Sequence, residues 1–202
     1  MIKLFNGLIE EVSCMCGRLN ITDDPLTQIV SDLVGISFSP QLSLDLKPSE
    51  TVSAIIFHQG GYQQRDVRWG IKPDWAKRMI INAQVESVAH KLTFKRGFES
   101  QRVLVPCSGW YEWREEARLK HKYLFSNPDN TPLFMAGIIV DSHHLVTLTT
   151  AANPQCAEYH HRMPFLVPQI GIEQWLCSSA SEAQTYLSIP WRSPFAVKLC
   201  GE

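Results

Sequence analysis

Short apolar segments separated by turn residues dominate the middle of this 202-residue chain, and they predict β-strands. Turn signals such as Gly60-Gly61 and the segment Asn127-Pro128-Asp129-Asn130 lie between them. The predicted strands have the sequences TVSAIIF, QQRDVRWG, QRVLVP, WYEWR, HKYLFS, PLFMAGIIV and HLVTLTT. The pattern indicates a single α+β domain with a mostly antiparallel, barrel-like sheet and a few peripheral helices.

Helical periodicity is found only near the two ends of the chain. An early helix is predicted to start at Pro25, with Asp23 or Asp24 as its cap, and to end at Gly35. Its apolar face would consist of Leu26, Ile29, Val30, Leu33 and Val34. Two late helices are expected near residues 172–177 and 181–187, whereas 37–49, with two prolines, is predicted to be a loop.

Composition supports one well-cored domain, because 45% of residues are hydrophobic and 19% are charged. No run of 18 apolar residues occurs and the first residues do not resemble a secretory signal, so we expect no membrane span and a cytoplasmic location. The six cysteines form no C-x-x-C pair, which argues against a zinc site. Residues 1–15 are expected to be an extension or propeptide, since Met15 offers a second start, and 16–202 the domain.

Charge is unevenly distributed, although the net charge is only −1. Residues 62–122 carry 13 Lys and Arg against 7 Asp and Glu, which suggests a basic face for phosphate or merely a clustered, solvated surface. Trp69 and Trp75 flank Pro73 in this segment, and either base stacking or core packing would explain them. Trp110 is expected in the core.

Glu112 lies in an aromatic strand, where an unpaired carboxylate is costly and acquires a raised pKa. Such a group is either satisfied by an arginine or serves as an acid or base. Three other short strings accompany its own string, GWYEW: MCGR from Met15, NAQVE from Asn82, and HHRMP from His160.

In this order and spacing, the strings resemble the SRAP (SOS response-associated peptidase) family. The resemblance runs from Met15 to about Pro168 and includes WGIKPDW, VLVPCSGWYEW, FMAG and TLTTAAN. It implies recognition of abasic sites in single-stranded DNA and a covalent link to them through an N-terminal cysteine, here Cys16. It also implies Asn82, Glu112 and His160 as catalytic partners.

The chemistry of an N-terminal cysteine fits that role. Its amine, with a pKa near 8, can form a Schiff base with the aldehyde of an opened abasic sugar, and its thiol can then close a thiazolidine. Glu112 would move protons, Asn82 would hold the amine or sugar hydroxyl, and His160 would donate to the opened sugar or assist reversal. Residues 1–15 block the amine of Cys16, which leaves three explanations: translation starts at Met15, Cys16 removes the extension itself, or the chain is a divergent member that forms no crosslink.

The resemblance also implies DNA contacts. Arg18 and Arg162 would bind phosphates, Thr149 would add a hydrogen bond, and Trp69 and Trp75 would lie near bases. Three departures stand out: Gln84 replaces an arginine at a phosphate contact, His161 replaces an acidic residue, and residues 44–48 replace a Tyr-Asn string before Pro48.

The alternatives differ in what they require of Cys16. A thiol peptidase with Cys16, His160 and Asn82 as a triad would tolerate an internal cysteine, and a non-covalent single-strand binder would not need it. A metal enzyme using Cys14, Cys16, His143 or His144 ranks last. The expected protein is a monomer without cofactor or metal, and nucleoid-associated if bacterial.

Overall fold

The computed structural model of the protein describes residues 17–200, which form twelve β-strands and five α-helices. The strands are β1 Leu19–Ile21, β2 Ser43–Leu46, β3 Thr51–His58, β4 Gly61–Trp69, β5 Asn82–Gln84, β6 Arg102–Cys107, β7 Gly109–Glu116, β8 Leu119–Ser126, β9 Leu133–Ile139, β10 His144–Ala151, β11 Arg162–Pro164 and β12 Ala196–Cys200. The helices are α1 Leu26–Val34, α2 Leu92–Ser100, α3 Pro154–Ala157, α4 Ile172–Cys177 and α5 Ala180–Tyr186.

Two sheets build the domain. The larger one closes on itself, because β10 pairs with β4 along one edge and with β9 along the other, while β3 and β6 complete the ring. The shorter strands β5 and β11 extend the wall at the far end of β10. The other sheet has the order β12–β8–β7–β1–β2. The predicted mostly antiparallel, barrel-like α+β fold is therefore confirmed.

One continuous hydrophobic cluster joins the elements of both sheets and helices α1, α2, α4 and α5. Its largest fully buried side chains include Trp69, Trp110 and Trp175, so Trp110 is a core residue as predicted. Burying an aromatic ring of this size contributes on the order of 2–3 kcal/mol. The cluster holds the two sheets in fixed relation, which matters because the candidate site draws residues from both.

The predicted helices were largely correct. Helix α1 ends at Gly35 in the left-handed conformation, but no aspartate caps its start, since Pro25 is the N-cap residue and makes no side-chain bond. Helices α4 and α5 occupy the predicted segments, and α5 begins with a capping box between Ser179 and Glu182.

Several elements were not predicted. The segment 37–49 is not wholly a loop, because β2 pairs with β1 within it. Helices α2 and α3 and strands β1, β5, β11 and β12 were also missed. No helix among residues 17–200 is long and apolar enough to cross a membrane. The boundary predicted after residue 15 falls outside the described residues.

Candidate functional site

The pairing of β1 with β7 directs the N-terminal end of the described chain towards Glu112. Leu19 lies opposite Trp110, and the Tyr111 amide donates to the Arg18 carbonyl at 3.1 Å. Continuing this antiparallel register sets Gly17 opposite Glu112. Gly17 is buried and is the first described residue, so the predicted nucleophile, Cys16, is its neighbour in the chain and lies outside the described part.

Glu112 is a buried carboxylate, 4% exposed, on the same side of β7 as the core residue Trp110. Its pair in β8 is Tyr123. Burial, and to a lesser degree the negative charge of Glu112, raises the pKa of the Cys156 thiol to about 12. Cys156 therefore stays protonated at neutral pH. Sequence reasoning missed this thiol near Glu112, and the raised pKa expected for Glu112 itself stays a prediction.

Asn82 is placed by the parallel pairing of β5 with β10, in which it lies opposite Thr147. The Thr147 hydroxyl donates to Asn82 Oδ1 at 2.5 Å. Because this bond engages the carbonyl arm of the amide, the Nδ2 arm, which only donates, is the arm suited to a ligand oxygen. An amide held in this orientation is what the role predicted for Asn82 requires.

His160 follows α3 and is held from two directions. Its own amide donates to the Cys156 carbonyl at 3.0 Å, and the Arg162 amide donates to His160 Nδ1 at 3.0 Å. Burial lowers the pKa of His160, and the adjacent His161 lowers it further, with ring centroids 4.3 Å apart. The lowered pKa favours the neutral ring at pH 7. Nδ1 also lies 3.3 Å from the Arg162 carbonyl oxygen, and the shorter bond, in which Nδ1 accepts from the Arg162 amide, corresponds to the tautomer with its proton on Nε2.

Arg162 is the best-anchored cation at this end of β10. Its guanidinium donates to both carboxylate oxygens of Glu86, at 2.7 and 2.8 Å, and to the Thr149 carbonyl at 2.6 Å. Only 11% of the Arg162 side chain is exposed. The predicted phosphate contact therefore already has an internal partner, Glu86, to which the sequence reasoning gave no role.

Two polar atoms beside this ion pair are buried without a hydrogen-bond partner in the described part of the chain. They are the Thr149 hydroxyl oxygen and Arg162 Nε. Buried polar groups are nearly always satisfied, so such atoms are the places where a bound ligand or water would make bonds. Both atoms are shielded from solvent, so the contribution of Thr149 and Arg162 to DNA binding stays a prediction.

The two tryptophans of the basic segment have different environments. Trp69 is fully buried, and its indole Nε1 donates to the Ile81 carbonyl at 3.2 Å, so core packing explains it and it is not available for a base. Trp75 is 69% exposed in the loop between β4 and β5. Gln84 is exposed at the end of β5. Trp75 and Gln84 therefore remain accessible for DNA contacts, whereas Trp69 does not.

A groove of about 640 Å³ runs beside this loop. Its lining includes Arg68, Lys72, Trp75, Met79, Asp141 and His144. The side chain of His144 is paired with Asp141 at 2.8 Å. Across residues 17–200 no group of three or more His, Cys, Asp or Glu side chains is placed to hold a metal ion, while Cys14 and Cys16 lie outside that range.

Comparisons with known proteins agree with this picture. Residues 15–197 match the family described as SOS response associated peptidase (SRAP). Relatives include the abasic site processing protein YoqW of Bacillus subtilis, 27% identical over 188 residues with 80% of both proteins covered. The abasic site processing protein YedK of Escherichia coli is 26% identical over 176 residues, with 80% of this chain and 79% of that protein covered.

Solved structures show the same fold. A phage-related protein of Bordetella bronchiseptica superposes with a TM-score of 0.78 over 93% of this chain and 95% of its own. A second protein from that organism gives 0.77 over 93% of this chain and 100% of its own. Their sequences are 20% and 19% identical to this one, so the likeness concerns the fold alone.

Proposed function

Because the chain belongs to the SRAP family, we propose that it acts on abasic sites in single-stranded DNA and binds them covalently through Cys16. The curated relatives named above are abasic site processing proteins. The observation that carries the proposal is the β1–β7 register, which sets Gly17, the residue that follows Cys16 in the sequence, opposite the buried carboxylate Glu112.

The covalent step balances with water as the only by-product. The Cys16 amine adds to the C1′ aldehyde of the opened sugar, and loss of one water gives a Schiff base. The Cys16 thiol then adds to the same carbon, its proton passes to nitrogen, and a five-membered thiazolidine results. The ring closure is intramolecular, so proximity favours it strongly.

The described residues supply the proton transfers and hydrogen bonds. Glu112 takes and returns the protons of carbinolamine formation and collapse, a role suited to a carboxylate withdrawn from water. Neutral His160 donates from Nε2 to the opened sugar oxygen, and Asn82 donates from Nδ2 to the sugar or the amine. Thr149 and Arg162 contact the flanking phosphate backbone, as the family resemblance implies.

The reaction requires Cys16 to be N-terminal. Translation from Met15 followed by removal of that methionine would expose it, and this is the route we favour. The alternative is self-cleavage, in which the Cys16 thiol attacks the Met15 carbonyl to give a thioester that water hydrolyses. In either case the active species starts at Cys16, and we propose that it acts as a monomer.

The competing peptidase triad is less well supported by the geometry. In a Cys-His-Asn triad the asparagine orients the histidine ring. Here the Arg162 main chain binds His160 Nδ1, and Thr147 binds the carbonyl oxygen of Asn82. With Nδ1 accepting from the Arg162 amide and the proton on Nε2, the His160 ring has no free lone pair to take the proton of a thiol, as a triad histidine must.

A crosslinking assay tests the proposal. Single-stranded DNA with one abasic site is mixed with the 202-residue chain or with a chain starting at Met15, and a denaturing gel and intact masses are recorded. We expect a crosslinked band from the shorter, processed chain. A band from the longer chain with loss of residues 1–15 would identify self-cleavage, and no band from either would refute the covalent reaction.

Two variants sharpen the assay. A processed C16A chain keeps a free N-terminal amine but has no thiol, so it should give no stable thiazolidine. Glu112→Gln keeps the size of the side chain and removes its acid–base function, and we expect crosslinking to slow by roughly 100-fold or more. An unchanged rate for this variant would remove Glu112 from the proton relay.

A further inference from the structure

Asp45 binds two cations on the sheet that carries Glu112. Its Oδ2 accepts from Arg18 Nη1 and its Oδ1 accepts from Lys122 Nζ, both at 2.7 Å. Asp45 belongs to β2 and Lys122 to β8, while Arg18 directly precedes β1. The two ion pairs therefore connect residues from three separate parts of the five-stranded sheet. Arg18 also directly follows Gly17, which the strand register sets opposite Glu112. Because side chains alternate along a strand, Arg18 and Lys122 lie on the Tyr111 face of the sheet, while Glu112 lies on the other face.

The surroundings of Asp45 fix this arrangement. Lys122 Nζ lies 3.9 Å from the ring centroid of Tyr111, whose hydroxyl donates to the Leu44 carbonyl at 2.6 Å. Asn20 Nδ2 in turn donates to the Tyr111 hydroxyl at 3.0 Å. Lys122 is therefore held by the Tyr111 ring as well as by Asp45, whereas the side-chain partner of Arg18 is Asp45.

The cluster is also within reach of a ligand. The side chains of Arg18, Asp45 and Lys122 are 30%, 38% and 27% exposed. A phosphate offers the same oxygen acceptors as a carboxylate to arginine and lysine donors. Asp45 therefore occupies the donors that a DNA phosphate lying over the Tyr111 face of this sheet would use.

We propose that Asp45 competes internally with DNA phosphate for Arg18 and Lys122 and so limits the affinity of this chain for single-stranded DNA. The inference rests on the proposed function in that it takes single-stranded DNA as the ligand. With Asp45 in place the two cations are partly neutralised by one carboxylate. Without that carboxylate, the full charge of both cations would be available to phosphate.

Salt dependence provides the test. A fluorescent single strand carrying tetrahydrofuran, an abasic analogue without an aldehyde, reports non-covalent binding by anisotropy between about 50 and 200 mM salt. Each additional phosphate contact steepens the logarithmic salt slope by about 0.7 for a single strand. The affinity ratio of D45N to wild type should therefore be larger at 50 mM salt than at 200 mM salt. We expect this ratio to differ by roughly 2.6-fold between the two salt concentrations for one new phosphate contact, and by roughly 7-fold for two.

Matched variants separate this effect from a change in net charge. D32N removes a carboxylate from α1 whose hydrogen-bond partner is Gln28, and it should bind like wild type. D45E keeps the charge and should also stay close to wild type. Arg18→Gln should lose more affinity in the D45N background than in the wild-type background, because only there is the arginine released from the carboxylate.

The outcomes are decisive even if D45N is less stable. Equal affinity and equal salt slope for folded D45N and wild type would overturn the inference. If D45N does not fold, a large loss of affinity in R18Q alone would overturn it, since Asp45 would then not be blocking Arg18, and a negligible loss would support it. A failed crosslinking assay together with a steeper D45N slope would refute the covalent chemistry and leave the Asp45 inference standing.

Discussion

Replacing Glu86 by glutamine should destabilise the protein through Arg162. Two charge-assisted hydrogen bonds, at 2.7 and 2.8 Å, join these residues, and the arginine side chain is mostly buried. Breaking a fully buried ion pair costs about 3–5 kcal/mol, whereas an exposed pair contributes about 1 kcal/mol or less. Glu86 is half exposed and the Thr149 carbonyl still binds Arg162, so we expect a loss of about 1–2 kcal/mol.

Urea unfolding measures this loss directly, and the dependence of free energy on urea should be unchanged. For a domain of this size, a loss of about 1–2 kcal/mol lowers the melting temperature by about 2–8 °C. The control is E99Q, because Glu99 faces Lys95 at 3.9 Å with both side chains about half exposed. Its removal should cost at most about 0.5 kcal/mol. Equal losses in E86Q and E99Q would refute the reasoning.

The difference in stability between wild type and E86Q should also depend on pH in a definite direction. Hydrogen bonding to Arg162 lowers the pKa of Glu86 below its usual 4.5. A carboxylate with a depressed folded pKa contributes stability above its unfolded pKa and loses that contribution as pH falls through the folded value. The difference between wild type and E86Q should thus be complete at neutral pH and shrink below about pH 4.5. A difference that grows towards acid pH would contradict the assignment.

Three further variants test other features. G109A should lower the free energy of unfolding by about 1–3 kcal/mol, because a Cβ there would collide with the Phe125 carbonyl oxygen of β8. The control is G61A, whose added Cβ meets open space, and equal stability of the two variants would contradict this. H161D should raise the pKa of His160, because it removes the His161 ring that lowers this pKa and puts an anion in its place, and an unchanged or lower pKa of His160 in an NMR titration would contradict this. W75A should weaken the binding of single-stranded DNA and should lower the free energy of unfolding by less than about 0.5 kcal/mol, because Trp75 is exposed. Unchanged DNA binding would exclude stacking of a base on Trp75.

The long strands could be predicted because each carries enough apolar positions to show its own period. The missed strands β1, β5 and β11 have three residues each, too few for any periodicity. Partners elsewhere in the chain, β7 and β10, stabilise them. Helix α3 has only four residues and depends on the Asn153 cap, so local sequence offered little sign of it.

The candidate site was only partly visible in the sequence for a similar reason. Glu112 could be singled out because a carboxylate among aromatic residues conflicts with its strand. No local conflict marks Glu86, Asp45 or Cys156, whose roles come from partners distant in sequence: Arg162, Arg18 and Glu112. For Trp69 the sequence left both core packing and base stacking open. The choice depended on its burial in the folded barrel, which the local sequence pattern does not determine.

The loop that carries Trp75 is attached to the barrel in an unusual way. Strands β4 and β5 pair with β10 on the same edge and in the same direction, at Leu145 and then at Thr147. Between these two strands the chain forms a loop outside the barrel sheet. Two main-chain hydrogen bonds between Ile71 and Ile80 join the start and the end of this loop. Residues 72–79 could therefore be lengthened, shortened or exchanged without shifting Asn82 in its register. The nucleic-acid contacts proposed for this loop could thus change during evolution, or be exchanged by design, without moving the residues proposed for the chemistry.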